Sequence, residues 1–436
     1  MSKKHLLIIL FSLVILLGTG SVSSQGGSQL PVDVPRESVF VVDQILRYPA
    51  PLNFNLWVPG QHPANHHALM YETLWYIDTE TGERINALAS EQPIYNDDFT
   101  EMTVNLREGI YWSDGVEFTA ADFVYTIETI MATDGMNWNP VLNQWVESVE
   151  QMGDNTVVFH LSASNNRFHY NFEPGWNGVY MMPKHVFENV DDLLTYDNNP
   201  PLSLSAYEFV EGDAQGFWEL YQRRDDWEQT FVGMQTGKPG PEYILTIFYG
   251  GSERKAIAMA RHELDIFFDL DKEAFGAVLD STPSARPWYE NFPWAYPNEL
   301  DARYLGFNQQ GNVHLQNRDV RWALTLALNI VEMETQYLGG VERITAIPQP
   351  ATSALMELYH NPMEEWLTNL QIDLGDGEMY NPYDSTVPDQ VAAWAAEQGY
   401  EVGDDARALF GTGWWKHDPE TAARLMEKAG FTRNDD

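Results

Sequence analysis

The chain has 436 residues, of which 44% are hydrophobic and 13% aromatic, so it can bury a large core and is too long for one compact domain. Its 64 Asp and Glu against 25 Lys and Arg give a formal net charge of −39, which excludes a nucleic-acid partner and disfavours anionic membrane surfaces. It contains no cysteine, which excludes disulfides, thiolate metal ligands, cysteine nucleophiles and a lipid-anchored N-terminal cysteine.

The first 24 residues have the pattern of a secretory signal peptide. Lys3 and Lys4 give a basic start, and an apolar run from Leu6 to Leu17 follows. This run is shorter than the roughly 20 apolar residues that a membrane span needs, and Ser24 suits the small-residue position before a cleavage site. We therefore expect an exported protein that is cleaved after Ser24 and works outside the cytoplasmic membrane. An uncleaved anchor is the alternative.

After a lead-in over residues 25–37, apolar runs and alternation predict a series of strands. These are residues 38–45, 102–106, 156–161, 207–210, 217–221, 243–249, 264–268 and 304–307. Helical spacing predicts helices at residues 119–130, 182–187, 253–261, 319–331 and 418–429. The strand–helix–strand order of residues 243–268 predicts a βαβ unit, and residues 356–400 are expected to be irregular.

Two of these helices carry specific end signals. Thr119 with Asp122 three residues later resembles a capping box, in which the two side chains satisfy free backbone N–H groups. Asp418 suits an N-cap before Pro419, and Gly430 suits the end of the same helix.

Metal binding rests on one histidine cluster. Imidazoles of His62, His66 and His67 could hold a transition metal. They have no cysteine and no clear carboxylate companion, so we expect a solvated loop.

An acidic run is the second candidate for a metal site. It comprises Asp373, Asp376, Glu378 and Asp384. The run lacks the spacing of an EF-hand loop, so a solvated surface is expected rather than a calcium site. With no phosphate loop and no nucleophile elbow either, we expect no metal, no cofactor and no catalysed reaction.

The aromatic content is more informative than the acids. Several Trp and Tyr stand in polar or Pro-rich contexts, where they suit stacking on sugars or packing on peptide side chains. These are Trp57, Trp138, Trp145, Trp288, Trp294 and Tyr296. For any one Trp, packing in a core or between domains is the commoner role.

One long run resembles a family signature. It extends from Val104 to Val124 and contains the sequence from Trp112 to Gly115 and that from Phe118 to Asp122. It closely resembles the signature of the family 5 extracellular solute-binding proteins, the receptors for ABC importers of dipeptides, oligopeptides, nickel and some oligosaccharides. The turn and cap residues of this run are expected to be structural. They are Trp112, Asp114, Gly115, Thr119 and Asp122.

Further segments are similar to the family in the expected order. They are residues 69–74, 206–210 with 223–227, 261–265, 305–308, 318–324 and 418–431. Ala206 and His262 stand where the family has glycine.

The resemblance implies an α/β fold of the type II periplasmic-binding-protein kind, with two lobes joined by a hinge and an extra small domain. Residues 38–68 would then begin domain I, residues 69–202 would form domain II with the signature, and residues 203–270 would return to domain I. Residues 271–436 would form the first part of domain III. Family members continue beyond the last helix, so the third domain is expected to be incomplete here.

The function implied is capture of an oligopeptide outside the membrane by a closing cleft and delivery to an ABC permease, with the receptor as a monomer. An oligosaccharide receptor of the same family is the close alternative, favoured by the run Asn53–Trp57 and the Trp content. A secreted carbohydrate-active enzyme is the alternative of another class. A metal-import receptor would depend on the histidine cluster alone.

Position within the family pattern gives candidates for ligand contact. Two of them follow the first strand, two end a strand on the hinge side, and two precede the strand of the third domain. Trp138 is added because it belongs to the aromatic residues named above. The candidates are Gly60, Gln61, Trp138, Phe268, Asp269, Trp294 and Tyr296.

Overall fold

The structure is a computed structural model that describes residues 30–47, 52–60, 69–78, 81–173, 178–287, 289–294, 304–375 and 377–432. The predicted signal peptide, residues 1–24, lies outside these ranges. Within them, no helix has the length and apolar character that crossing a membrane requires.

The strands are short and spread along the chain. They are β1 (Val39–Asp43), β2 (Trp75–Ile77), β3 (Arg84–Asn86), β4 (Ile94–Tyr95), β5 (Glu101–Asn105), β6 (Val146–Gln151), β7 (Thr156–Leu161), β8 (Tyr207–Gly212), β9 (Trp218–Arg223), β10 (Tyr243–Ile247), β11 (Ile372–Asp373), β12 (Met379–Tyr380), β13 (Tyr383–Asp384) and β14 (Trp414–Trp415).

The α-helices follow in chain order. They are α1 (Ala120–Ala132), α2 (Asn139–Trp145), α3 (Lys184–Phe187), α4 (Phe231–Thr236), α5 (Ser252–Ala260), α6 (Lys272–Ser281), α7 (Arg318–Leu326), α8 (Ile330–Glu332), α9 (Ser353–Leu355), α10 (Asn361–Asn369), α11 (Val387–Glu397), α12 (Ala406–Phe410) and α13 (Pro419–Lys428). π-helical turns occupy Met333–Leu338 and Met356–His360.

The first sheet is mixed, with the order β1–β10–β9–β8. β1 and β10 are parallel, and the predicted strand pair over residues 207–221 is confirmed as antiparallel β8 and β9. Along β1, Val39 and Val41 are buried in a small core with Leu245, whereas Phe40 points the other way and is 37% exposed. This alternation is what a half-buried strand requires.

The predicted βαβ unit forms, with one correction. β10 leads through α5 to residues 264–266, which run parallel to β1 on its other edge. The N–H of Asp43 donates to the carbonyl of Ile266 at 2.9 Å, and the pairing is a single bridge. The prediction of a buried strand through residue 268 is wrong, because the chain leaves the sheet after Ile266 and Phe268 is 60% exposed.

The second sheet is antiparallel, with the order β4–β5–β7–β6, and α1 packs on it. The predicted helix face is confirmed, since Phe123, Ile127 and Ile130 are fully buried. The predicted capping box is also confirmed. The N–H of Thr119 donates to Asp122 Oδ2 at 3.0 Å, and the Thr119 hydroxyl accepts from the first turn.

The signature residues have turn and cap roles in this arrangement. Trp112 is fully buried, Gly115 has φ +85°, and Asp114 Oδ1 accepts from the N–H of Val116. The second oxygen of Asp122 accepts from the N–H of Lys184 at 2.9 Å, which fixes α3 against α1.

Arg224 holds the signature loop to the segment that enters β8. Its side chain is 1% exposed and donates to the carbonyls of Tyr111 (3.0 Å), Trp112 (3.1 Å) and Ser203 (3.2 Å). Asp226 accepts two further bonds, at 2.7 and 2.8 Å, in the bidentate geometry that suits a guanidinium. One buried cation therefore joins two parts of the chain that lie about a hundred residues apart in sequence.

The C-terminal part of the chain is mostly helical. α7 and α13 pack together, with Leu326 and Leu425 fully buried between them. The predicted cap at Asp418 is confirmed, since its Oδ1 accepts from the N–H of Thr421 at 2.9 Å, and Gly430 has φ +90° after the helix.

Three predictions fail in this part. Residues 304–307 form no strand, because none of the described residues pairs with them and Tyr304 is 72% exposed. Residues 356–400 are not irregular, since they contain α10 and α11. The helix predicted over 319–331 ends at Leu326 instead, and its buried residues are Val320, Ala323 and Leu326.

His262 occupies a left-handed backbone position, with φ 57°. Its carbonyl accepts from Arg36 Nε at 2.8 Å, and its side chain is exposed. A Cβ in this region costs about 1–2 kcal/mol, part of which is offset because glycine loses more entropy on folding. We expect His262→Gly to raise the free energy of unfolding by about 0.5–1 kcal/mol. Urea denaturation tests this, with His262→Ala as the control. Equal stability of both variants would contradict it.

Candidate functional site

Three parallel segments end at one edge of the mixed sheet. β1 ends at Asp43, β10 ends at Ile247, and the segment paired with β1 ends at Ile266. In open α/β sheets, the crevice outside the carboxyl ends of parallel strands is the usual place for a ligand.

Apolar side chains stand exposed in the loops at this edge. Ile45 is 42% exposed, Leu46 62%, Phe217 41% and Phe268 60%. Phe217 belongs here because its carbonyl accepts from the N–H of Phe248, just after β10. We call Ile45, Leu46, Phe217 and Phe268 the carboxyl-edge surface. Several exposed apolar groups at one edge are typical of a surface that binds something.

A buried ion pair fixes the shape of this edge. Lys255 of α5 is 3% exposed, and its Nζ lies 2.7 Å from Oδ2 of the fully buried Asp43. The same Nζ donates to the carbonyl of Asp269 at 3.2 Å. Burial nevertheless raises the pKa of Asp43, since the loss of hydration exceeds the lowering effect of Lys255. The lysine thereby ties the ends of two parallel segments together.

Phe268 and Asp269, both predicted from sequence, are at this edge. The side chain of Asp269 is 70% exposed and its Oδ2 is 3.9 Å from Lys255 Nζ. Both side chains can therefore reach a ligand outside the strand ends.

Gly60 and Trp138 lie in neighbouring loops. The N–H of Asn137 donates to the carbonyl of Trp57 at 2.7 Å, and its side chain donates to the carbonyl of Leu56. Gly60 is exposed with φ +72°, and Trp138 is half-buried against the large core with φ 64°. Their contact with a ligand stays a prediction.

Of the remaining residues that were predicted to contact a ligand, one lies in an aromatic core and two lie outside the described residues. Trp294 packs edge-on against Phe292 (5.2 Å) and Tyr400 (5.5 Å) in a cluster of aromatic rings. Gln61 and Tyr296 lie outside the described residues.

The aromatic argument for a sugar ligand loses its main support. Trp57 is fully buried, and its indole N–H donates to the carbonyl of Tyr180 at 2.9 Å. Phe54 and Leu56 of the same run are buried too. In this arrangement Trp57 is a core residue with no face free to stack on a sugar ring.

The two candidate metal clusters have different outcomes. His62, His66 and His67 lie outside the described residues. In the acidic run, Glu378 pairs with Arg424 and Asp373 accepts a backbone N–H at 2.8 Å, while Asp376 also lies outside the description. Within the part of the chain that the structure describes, no group of three His, Asp or Glu is arranged to hold a metal ion.

Lys255 and Asp43 were missed by the sequence reasoning. In α5 the sequence places Ile257 and Lys255 on different faces, and the structure buries the lysine while Ile257 is 51% exposed. Lys255 and Ala258 are three residues apart and therefore lie on the same face of the helix, and both are buried. This spacing is the one local signal that the lysine, and not Ile257, lies on the buried face.

Glu219 is a second buried acid near this sheet edge. It is fully buried opposite Thr246, and its Oε2 accepts from the Tyr221 hydroxyl at 2.9 Å. Burial raises the pKa of Glu219 to about 9, so this carboxyl is protonated at neutral pH.

The raised pKa of Glu219 makes the protein lose stability as the pH rises. A carboxyl that holds its proton more tightly in the folded state contributes fully below its unfolded pKa, about 4.5, and loses that contribution towards pH 9. We expect Glu219→Gln to remove a slope of about 1 kcal/mol per pH unit between about pH 5 and pH 8. Denaturant unfolding at three pH values measures it. Exposed Glu211→Gln is the control, and an unchanged slope in Glu219→Gln would refute the assignment.

Comparisons with known proteins agree on one family. A model described as bacterial extracellular solute-binding proteins, family 5 middle, matches residues 83–436. Oligopeptide-binding protein AppA of Bacillus subtilis is 25% identical over 356 residues, which are 80% of this chain and 61% of AppA. The chain thus spans less than two thirds of the length of this curated relative.

Solved structures share the fold. A mannohexaose-bound periplasmic oligopeptide-binding protein from Thermotoga maritima matches with TM-score 0.62 and 23% identity, over 85% of this chain and 64% of that one. AppA from Bacillus subtilis in complex with a nonapeptide matches with TM-score 0.56 and 18% identity, over 85% and 73%. The predicted type II periplasmic-binding-protein fold is therefore confirmed, and the chain belongs to the family 5 bacterial extracellular solute-binding proteins.

Proposed function

We propose that this chain belongs to the extracytoplasmic substrate-binding component of an ABC importer and captures oligopeptides. The carboxyl-edge surface is the observation that carries the proposal, because exposed apolar groups at the ends of parallel strands suit contact with a ligand. AppA, a named oligopeptide-binding relative, supports the ligand class. The family is defined by solute binding rather than by a reaction, so capture without turnover is the expected activity.

We also propose the domain division given by the resemblance. Residues 38–68 and 203–270 contribute β1 and β8–β10 to one sheet, which supports their assignment to one lobe. Residues 69–202 contribute the separate antiparallel sheet of domain II. Residues 271–436 would supply part of the opposite lobe. A ligand held between lobes would be released when they open.

Export, a membrane permease as partner and a monomeric receptor complete the proposal. The description of the family as extracellular supports the first. The net charge of −39 favours a dispersed, monomeric protein in solution.

An oligosaccharide ligand is the second candidate. One structural relative is bound to mannohexaose, although the likeness of 23% identity concerns the fold. With Trp57 in the core, this chain gives the sugar hypothesis less support than its Trp content suggested.

Isothermal titration calorimetry separates the two ligand classes. We expect a mixture of peptides of five to nine residues to release heat on binding and mannohexaose to release none. Leu46→Ser with Phe268→Ser should weaken peptide binding by at least about tenfold, since two apolar contacts are lost. Ile94→Ser, at a 47% exposed position of the antiparallel sheet, is the matched control. Binding of mannohexaose without peptides would overturn the proposal.

A further inference from the structure

A cavity of about 690 Å³ lies in the C-terminal part of the described chain, and its lining residues are distinct from those of the carboxyl-edge surface. Its walls come from α7, the turn at residues 346–349, the helical segment that ends with α10, and Trp415 of β14. This volume is within the range of roughly 300–1,000 Å³ that is typical of ligand pockets.

One wall is the apolar face of a single helical segment. The lining residues recur at helical spacing along it, as Tyr359, Met363, Trp366, Leu367 and Leu370. Leu367 is 2% exposed and forms the floor, whereas Trp366 and Tyr359 are each 53% exposed at the rim. Among the described residues, no other element covers this face completely.

The start of this wall is locally widened. A π-helical turn covers Met356–His360, and Pro362 follows in the first turn of α10. Proline removes a backbone donor and clashes with the carbonyl four residues earlier, which explains the wider turn. The widened turn carries Tyr359 at the rim.

The opposite wall carries two more tryptophans. Trp322 of α7 and Trp415 meet edge to face, with ring centroids 4.9 Å apart and planes at 90°. Trp415 is held in turn by pairing with Tyr383 in β13. Rings fixed in this way offer a preformed surface.

Hydrogen bonds fix the end of the helical wall. The side-chain amide of Asn381 donates to the carbonyls of Leu367 (3.3 Å), Thr368 (2.7 Å) and Leu370 (2.8 Å). These bonds satisfy carbonyls that the helix end leaves free. A pocket whose walls are ordered in advance binds without the cost of ordering them.

The chemistry of the lining favours an apolar group over a sugar. Apart from Gln349, Gln371 and Arg318, the lining consists of apolar or aromatic side chains. Sugar hydroxyls placed against Ile372 and Met363 would lose hydrogen bonds to water without replacement. An aromatic or large aliphatic side chain has no hydrogen bonds to water to lose.

Arg318 adds a charge preference. It is exposed on the cavity wall at the start of α7, in a chain whose net charge of −39 otherwise repels anions. A guanidinium pairs well with a carboxylate. A ligand with an apolar side chain next to a carboxylate would match both features.

We propose that this cavity holds the C-terminal residue of the captured peptide, with an aromatic or large aliphatic side chain between Trp322, Trp366 and Trp415 and the terminal carboxylate at Arg318. The proposal rests on the proposed function and specifies its ligand. It makes the receptor selective for peptides that end in an apolar residue.

Calorimetry with three pentapeptides tests the proposal. They are Ala-Ala-Ala-Ala-Phe, its C-terminal amide, and Ala-Ala-Ala-Ala-Ala. We expect the Phe peptide to bind at least about tenfold more tightly than the Ala peptide, as burial of one aromatic ring predicts. The amide should bind more weakly than the free acid.

Variants locate the effect. Trp366→Ala should abolish the preference for Phe, and circular dichroism should show it folded because the ring is half exposed. Arg318→Gln should weaken the acid and leave the amide unchanged. Tyr337→Ala, at a 73% exposed position outside the cavity, is the control.

The outcomes distinguish this proposal from the function on which it rests. If all three pentapeptides bind alike and Trp366→Ala changes none of them, the cavity assignment is wrong and peptide capture stands. If no peptide binds, peptide capture fails and the cavity assignment fails with it.

Discussion

Replacing Arg224 with alanine is expected to lower the free energy of unfolding by about 3–5 kcal/mol, because a buried side chain loses its packing and several hydrogen bonds. The buried guanidinium donates to the carbonyls of Tyr111, Trp112 and Ser203, and pairs with Asp226. Its removal takes one donor from each of these acceptors and opens a cavity beside Trp112. The carbonyls of Trp112 and Ser203 keep the N–H groups of Gly115 and Ser113 as donors. Arg224 also holds the pKa of Asp226 below its usual range through their hydrogen bonds, and that lowering should vanish in the variant.

Denaturant unfolding measures the effect, and two further variants define its origin. Arg224→Lys should recover less than half of the loss, because an ammonium has three donors and cannot reach all of these acceptors. Arg167→Ala removes an exposed guanidinium and should change stability by less than about 0.5 kcal/mol. A loss below about 1 kcal/mol for Arg224→Ala would contradict the role assigned to this residue.

Replacing Lys255 with methionine is expected to cost about 3–5 kcal/mol, because the variant leaves the fully buried Asp43 without its counter-charge. Methionine preserves most of the side-chain volume, so the loss reports on charge rather than on packing. Arg254→Met, on the exposed side of the same helix, is the matched control.

The loss of stability in Lys255→Met should depend on pH. Burial already raises the pKa of Asp43, and loss of Lys255, which lowers it, should raise it further. The carboxyl of the variant then binds a proton in the folded state, which relieves the buried charge. The loss should therefore be smaller at pH 5 than at pH 8.

A double variant completes the test. Asp43→Leu together with Lys255→Met should recover most of the stability, since an apolar pair of similar volume replaces the ions. A double variant as unstable as Lys255→Met alone would show that packing, and not the unpaired carboxylate, accounts for the loss.

The sequence predicted those elements whose signals are local. The capping box depends only on Thr119 and Asp122, which are three residues apart, so its hydrogen bonds could be predicted from the sequence. The alternation of residues 102–106 predicted the bounds of β5 to within one residue. The fold class followed from the long run beginning at Val104, because many residues match one pattern at once.

Elements that depend on distant partners were not predictable in the same way. The run at residues 304–307 has strand-forming residues, yet a strand exists only where another segment pairs with it. Residues 356–400 were expected to be irregular, yet a π-helical turn at Met356–His360 lets the helical segment continue through Pro362.

The candidate site shows the same division. Phe268 and Asp269 could be placed at the edge of a sheet by topology alone. The burial of Lys255 could not be predicted, because a lysine on an amphipathic helix is expected to be solvated unless its partner, here Asp43, is known. Likewise, the sequence suggests that Trp57 stacks on a ligand, and only the structure shows that Trp57 is buried.

Native mass spectrometry of the protein purified from its own source tests the central claim most directly. Oligopeptide capture predicts an adduct whose mass is that of peptides, and collision-induced fragmentation should yield amino-acid mass differences. The cavity assignment adds that these peptides end in apolar residues. An adduct with a ladder of hexose masses, and no peptide, would contradict the claim and make the protein an oligosaccharide receptor.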